Sequence, residues 1–278
     1  TTGFCLLLLA SFLGSLYAIV TKISVNRLLF YGALNFVTVI MACLALAVFG
    51  FPAQASLPYW FAGMIFFNVS VFFILKAYER LDISQLYALQ ACVHLVVLTQ
   101  LSIYAAHESL NAIETAALLL LLSGFIVQIP FNRLFEKSYR DGIIICIIVG
   151  ISSGFQTFMD ARGIKLSGNP FGYIAMTCLI GLPVTCVAFY KNRDGLLALL
   201  HRERWHIVAG SLLDVASYSL FIYVVYIMKV TYVLPASNTG VIFTTLIGLF
   251  ILKEAQPKRR IVSAFIICAA AVLMQAAH

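Results

Sequence analysis

Ten stretches of roughly twenty apolar residues run through this chain, and no other feature limits its fold so strictly. They lie at about 3–21, 29–50, 57–78, 83–105, 111–129, 142–160, 169–190, 205–227, 231–252 and 260–276, each bounded by charge, Pro, Asn or Gly. A hydrocarbon core about 30 Å thick takes about 20 residues of helix to cross. The runs are continuously apolar and lack the alternation of membrane barrel strands. Small pairs inside them, such as Gly14-Ser15 and Ser153-Gly154, allow helices to approach closely in lipid. The expected fold is therefore an all-α integral membrane protein with ten transmembrane helices. Composition agrees: 62% of the 278 residues are apolar and only 10% are charged, against about a quarter charged in a soluble domain. A soluble enzyme, a nucleic-acid binder and a disordered chain are excluded together, because so much apolar surface cannot be hidden from water. The first run is too long for a cleaved signal peptide and is expected to remain as a span. Trp60 and Trp205 open the third and eighth runs, where interfacial anchors belong. The seven cysteines all fall in apolar runs without a CxxC pair, and are expected to pack rather than bind metal or form disulfides.

The runs divide as five plus five around a basic segment, Asn132 to Asp141. Asn68 and Asp214 lie 146 residues apart, as do Glu108 and Glu254; Trp60 and Trp205 lie 145 apart; Gly14 and Gly154, and Lys22 and Arg162, lie 140 apart. This spacing predicts a repeat: 1–130 as the first five-helix half, 131–141 as a basic connecting loop, and 142–278 as the second half. An odd number of spans per half inverts the second half in the membrane. Inverted repeats set a substrate site near the midplane, between the halves, and suit alternating access.

The stretch Leu13-Gly14-Ser15-Leu16-Tyr17-Ala18-Ile19-Val20-Thr21-Lys22 resembles the first-helix W-G-S-x-F-x-x-x-K pattern of the drug/metabolite transporter superfamily, EamA type. Ala106-His107-Glu108-Ser109 and Leu252-Lys253-Glu254-Ala255 are similar to its L-G-E-x turns before the fifth and tenth helices, and Val233-Leu234-Pro235-Ala236 resembles its ninth-helix start. Leu13 stands where the family has Trp, and the Gly before each Glu is absent. The resemblance implies a ten-helix carrier that exports amino acids, related metabolites or toxic compounds.

Polar side chains at mid-bilayer are costly and are functional candidates. Gln90 and His94 share a face of the fourth span, Asp214 and Tyr218 a face of the eighth; Asn68, Asn238, Gln156 and Tyr17 lie in the third, ninth, sixth and first. These are expected to line one central cavity as substrate-binding groups. Asp214 would accept a substrate amine or a proton, and Asp214 and His94 are the candidates for proton coupling. The competing role for each is interhelical hydrogen bonding. Lys76, Glu79 and Arg80 are spaced to pair along one helix, Asp160 and Arg162 are expected at the membrane interface, and Glu108 and Glu254 are expected to orient helix turns. The run Lys258-Arg259-Arg260 reads as an orientation signal or a contact with anionic lipid.

No P-loop, Gly-x-Ser-x-Gly or HExxH motif is present, so neither direct ATP use nor an enzyme is expected. No cofactor or metal is expected. The expected partners are a small-molecule substrate and membrane lipid, not nucleic acid, in a monomer or homodimer. An integral membrane enzyme or a flippase acting on lipid-linked substrates is the competing function, but each asks for a polar cluster at one face or a lateral groove.

Lys and Arg number 15 in the connections after odd-numbered runs and 3 in those after even-numbered ones. Basic loops stay in the cytoplasm. The expected location is the cell (inner) membrane, with both termini on the non-cytoplasmic side and the segment 132–141 inside. A single cysteine introduced as Ser138→Cys, in a cysteine-free background, should resist an impermeant external thiol reagent in intact cells; labelling there would reverse the orientation.

Overall fold

The computed structural model describes residues 2–24, 26–81, 83–107, 110–129, 136–192, 195–228, 233, 240–250 and 257–276. Among them the chain is helical, without strands. The helices are α1 (Thr2–Ile23), α2 (Arg27–Phe49), α3 (Leu57–Ala77), α4 (Ile83–Ala106), α5 (Ala112–Gln128), α6 (Lys137–Leu166), α7 (Pro170–Thr177), α8 (Leu182–Lys191), α9 (Leu196–Ile227), α10 (Gly240–Phe250) and α11 (Pro257–Ala276). Among the described residues, seven segments are long and apolar enough to cross a membrane: α1 to α4, α6, the pair α7–α8 as Pro170–Lys191, and α9. Shorter apolar helices lie in the fifth and tenth runs, at Ala112–Val127 and Ile261–Ala270. Much of the ninth run falls outside the described residues.

The ends of these helices are written in the sequence. Asn26 caps α2 by accepting from the Leu29 amide at 3.1 Å. Asn111 and Glu114 form a reciprocal capping box at the start of α5. The Asn169 side chain accepts from Gly172 N at 3.0 Å and donates to Phe49 O at 2.7 Å, so one residue starts α7 and ties it to the end of α2. Pro58, Pro170 and Pro183 sit in first turns, where a missing amide proton costs nothing.

Helix α6 lies against α3 and α4, and α9 lies along α1. Helix α5 pairs with α11, α2 packs on α8 and α9, and α10 sits between α1 and α4. The partners exchange between the halves: the third run packs on the sixth as the eighth packs on the first. The outward faces are apolar, with Val48 77% and Phe265 71% exposed, as a lipid-facing surface requires.

Several expectations change. Helix α6 starts at Lys137 and reaches Leu166, longer than the expected run 142–160 at both ends, so part of the expected loop 131–141 is helical. The expected single helix 169–190 is broken between Thr177 and Leu182. Helix α9 kinks at Glu203 (φ −116°, ψ 16°). Lys76, Glu79 and Arg80 do not pair with one another. Lys76 Nζ lies 4.1 Å from the Phe72 ring centroid, Glu79 faces Arg27 at 4.0 Å, and Arg80 faces Asp141 at 3.8 Å, so the ion pairs run between elements instead. Trp205 is 73% exposed, as an interfacial anchor would be. Trp60 is half-buried and donates through Nε1 to Met176 O at 2.8 Å, linking α3 to α7.

Gly163 lets α6 accept the fully buried Tyr173 of α7. A Cβ at Gly163 would stand 2.1 Å from the Tyr173 hydroxyl oxygen. Gly163→Ala should therefore cost about 1–3 kcal/mol, the usual range for forced overpacking. Thermal unfolding in detergent would read it, and an unchanged midpoint would mean that Tyr173 moves aside freely.

Candidate functional site

Three chambers lie in the middle of the bundle and share their walls. The first, about 250 Å³, sits between α1, α4, α9 and α10 and is lined by Gln90, His94 and Tyr218 among others. The second, about 170 Å³, is bounded by α1, α2, α3, α4, α6 and α9, and Tyr17, Gln156 and Asp214 line it. The third, about 40 Å³, lies at the break between α7 and α8, against Asp214 and Tyr218. Tyr87 and Gln90 line both the first and second chambers, Phe67 and Asp214 the second and third, and Tyr218 the first and third. Every chamber takes walls from both halves of the chain.

Tyr17, Gln90, His94, Gln156, Asp214 and Tyr218 are thus gathered by the fold from α1, α4, α6 and α9. Helical spacing explains the pairs: Gln90 and His94, and Asp214 and Tyr218, are four residues apart and project from one face. The buried Gln90 Oε1 and His94 Nε2 have no hydrogen-bond partner. Asp214 makes no hydrogen bond or ion pair among the described residues. A carboxylate with no partner, open to a cavity, is a group held ready for something else. Asn238 lies outside the described residues, as do Glu108 and Glu254.

Asn68 belongs to the scaffold. Its Nδ2 donates to Met64 O at 2.7 Å and to Ile180 O at 2.8 Å, and its Oδ1 accepts from Val184 N at 3.2 Å. One side chain from α3 therefore satisfies a carbonyl inside the α7–α8 break and an amide in the first turn of α8. Gly181 is needed there, because a Cβ would stand 2.0 Å from Asn35 Oδ1.

Asp160 is the residue that the sequence reading misplaced. It was expected at the interface, yet it is only 1% exposed. Tyr218 donates to its Oδ2, Tyr173 to its Oδ1 at 3.4 Å, and Gln156 Nε2 reaches Oδ2 at 3.5 Å and Tyr218 Oη at 2.9 Å. The extended α6 carries this carboxylate inside the bundle. The signal was present: Gln156 and Asp160 are four apart, on one face of a helix. Arg162 does lie near the edge, half-buried, donating to Ala105 O with its guanidinium 5.4 Å from the Phe158 ring centroid.

Residues 140–275 match the EamA-like transporter family. A crystal structure superposes on the chain with a TM-score of 0.75, covering 100% of this chain and 99% of that one at 14% identity, which shows the shared fold alone. No curated protein matches the sequence.

The two amides should separate under mutation. Asn68→Ala should lower stability by about 1–3 kcal/mol, because it strands buried backbone groups. Gln90→Ala should leave the unfolding midpoint near wild type, since its Oε1 has no bond to lose. Equal midpoints for the two variants would remove Asn68 from its bridging role.

Proposed function

Since residues 140–275 match the EamA-like transporter family, we propose that the chain is a secondary transporter of the inner membrane. It exports amino acids or related small metabolites by alternating access, and the central chambers are its substrate path. The observation that carries this reading is Asp214, a partnerless carboxylate on α9 that opens on two chambers walled by both halves. A membrane carrier needs such a site, because a polar substrate crossing hydrocarbon must find its hydrogen bonds in the protein.

Ten spans in two inverted halves, 1–130 and 142–278, are part of the proposal. Its support is the exchange of packing partners between the halves, α3 on α6 against α9 on α1. Such an exchange allows the chamber walls to open first toward one side and then the other. Gln90, His94, Gln156, Tyr17 and Tyr218 would hydrogen-bond the substrate, joined by Asn238 from the ninth run. Both termini lie on the non-cytoplasmic side, as the distribution of Lys and Arg requires. Asp214, with His94, is the proposed site of proton coupling.

Efflux of a labelled amino-acid and metabolite pool from proteoliposomes, with and without an imposed pH gradient, tests this reading. Asp214→Asn should abolish gradient-driven efflux while folding and insertion persist. His94→Ala should weaken transport or change its pH dependence. Equal gradient-driven efflux from wild type and Asp214→Asn would return Asp214 to a packing role.

A further inference from the structure

The three chambers carry a one-sided charge. Among the described lining residues Asp214 is the only Asp or Glu, and none is Lys or Arg; the Lys22 side chain lies outside the described residues. Four basic side chains on the neighbouring spans are engaged elsewhere: Lys76 on the Phe72 ring, Arg27 with Glu79, Arg80 with Asp141, and Arg162 with Ala105 O. Two further carboxylates are buried and engaged: Asp160 accepts from Tyr218 and Tyr173 and is contacted by Gln156, and Glu114 accepts from the Asn111 amide in its capping box.

Aromatic side chains share the second chamber with Asp214. Tyr17, Tyr31, Phe67, Tyr78 and Tyr87 line it, and a cation is attracted to such ring faces. The unengaged polar atoms in the lining include the buried Gln90 Oε1 and His94 Nε2.

We infer that the cavity selects an organic amine cation bearing no carboxylate of its own, its ammonium on Asp214 and its apolar part against the tyrosines and Phe67. This inference rests on the transport reading above and, within its substrate class, favours related amine metabolites over the amino acids themselves. A bare ammonium ends the isolation of the Asp214 carboxylate and leaves no charge unpaired. A zwitterionic amino acid brings a second carboxylate into a cavity whose described lining offers it no cation, and that mismatch is costly in low dielectric. An anionic metabolite is worse placed still.

The test pairs compounds that differ only in the carboxylate. Phenethylamine and tyramine are titrated by calorimetry into the purified full chain in detergent, beside phenylalanine and tyrosine, and the same four are followed as counterflow substrates in proteoliposomes. The amines should bind at least tenfold more tightly than the matching amino acids. Asp214→Asn should abolish amine binding, and Asp214→Glu, which keeps the charge, should retain part of it. Equal or tighter binding of the amino acids overturns the inference, as does absence of amine binding or amine binding that survives in Asp214→Asn. Flux of amino acids without amine binding defeats the inference and leaves the transport reading intact. Asp214-dependent amine binding without flux of any compound does the reverse.

Discussion

A backbone amide or carbonyl inside hydrocarbon has no water to turn to, and this demand organises the molecule. Almost every span meets it by being a helix. The segment between Thr177 and Leu182 meets it only in part, by turn bonds such as Leu179 N to Met176 O and Ile180 N to Thr177 O, and the side chains of α3 add to them. Trp60 donates to Met176 O, while Asn68 donates to Ile180 O and accepts from Val184 N. Irregular backbone at membrane depth is tolerated only where protein buries it or a cavity lines it, and both conditions hold at this break. The smallest chamber sits against it, walled by Thr177, Cys178, Ile180 and Gly181. The bonds of α3 therefore maintain a pocket as well as a break.

Asp160 and Asp214 both bear on the chambers or their walls, and their surroundings differ in one respect. Asp160 on α6 is saturated by two tyrosine hydroxyls and an amide, so it holds Tyr218 in place between the first and third chambers. Asp214 on α9 has no such partners among the described residues. A saturated carboxylate costs less to bury and has less to offer a ligand; an unsatisfied one costs more and stays available. Asp160 is on this account a positioning residue that acts through Tyr218.

Much of this was legible in the sequence. The apolar runs located α1 to α4 within a few residues, because composition there changes sharply at the ends. Tyr17, Gln90, His94, Gln156, Asp214 and Tyr218 do line the cavity, because a polar group in an apolar helix has few other places to go. The losses have physical causes. Asp160, Arg162 and Lys165 lower the hydropathy of the end of α6, so a helix continuing to Leu166 reads as if it stopped near Asp160. A break capped from another helix leaves no local mark beyond Gly181 and Pro183, and the run was read as one helix. The ion pairs of Glu79 and Arg80 reach residues distant in sequence, which spacing along one helix cannot reveal.

The sequence singled out Asn68 and Asp214 as a matched pair, 146 residues apart on the third and eighth runs. The structure gives them different work. Asn68 can donate and accept at once, and a broken helix asks for both, since one side leaves carbonyls and the other leaves amides. A carboxylate cannot donate, so Asp214 would leave the carbonyl of such a break unanswered. The helix of the first half that packs on α9, α2, is continuous from Arg27 to Phe49 and needs no such bridge. The break in α7–α8 consumes the polar group of α3, while the continuity of α2 leaves that of α9 free for the cavity. Two positions alike in spacing thus diverge because the helices opposite them differ, and among the described lining residues the carboxylate comes from the second half alone.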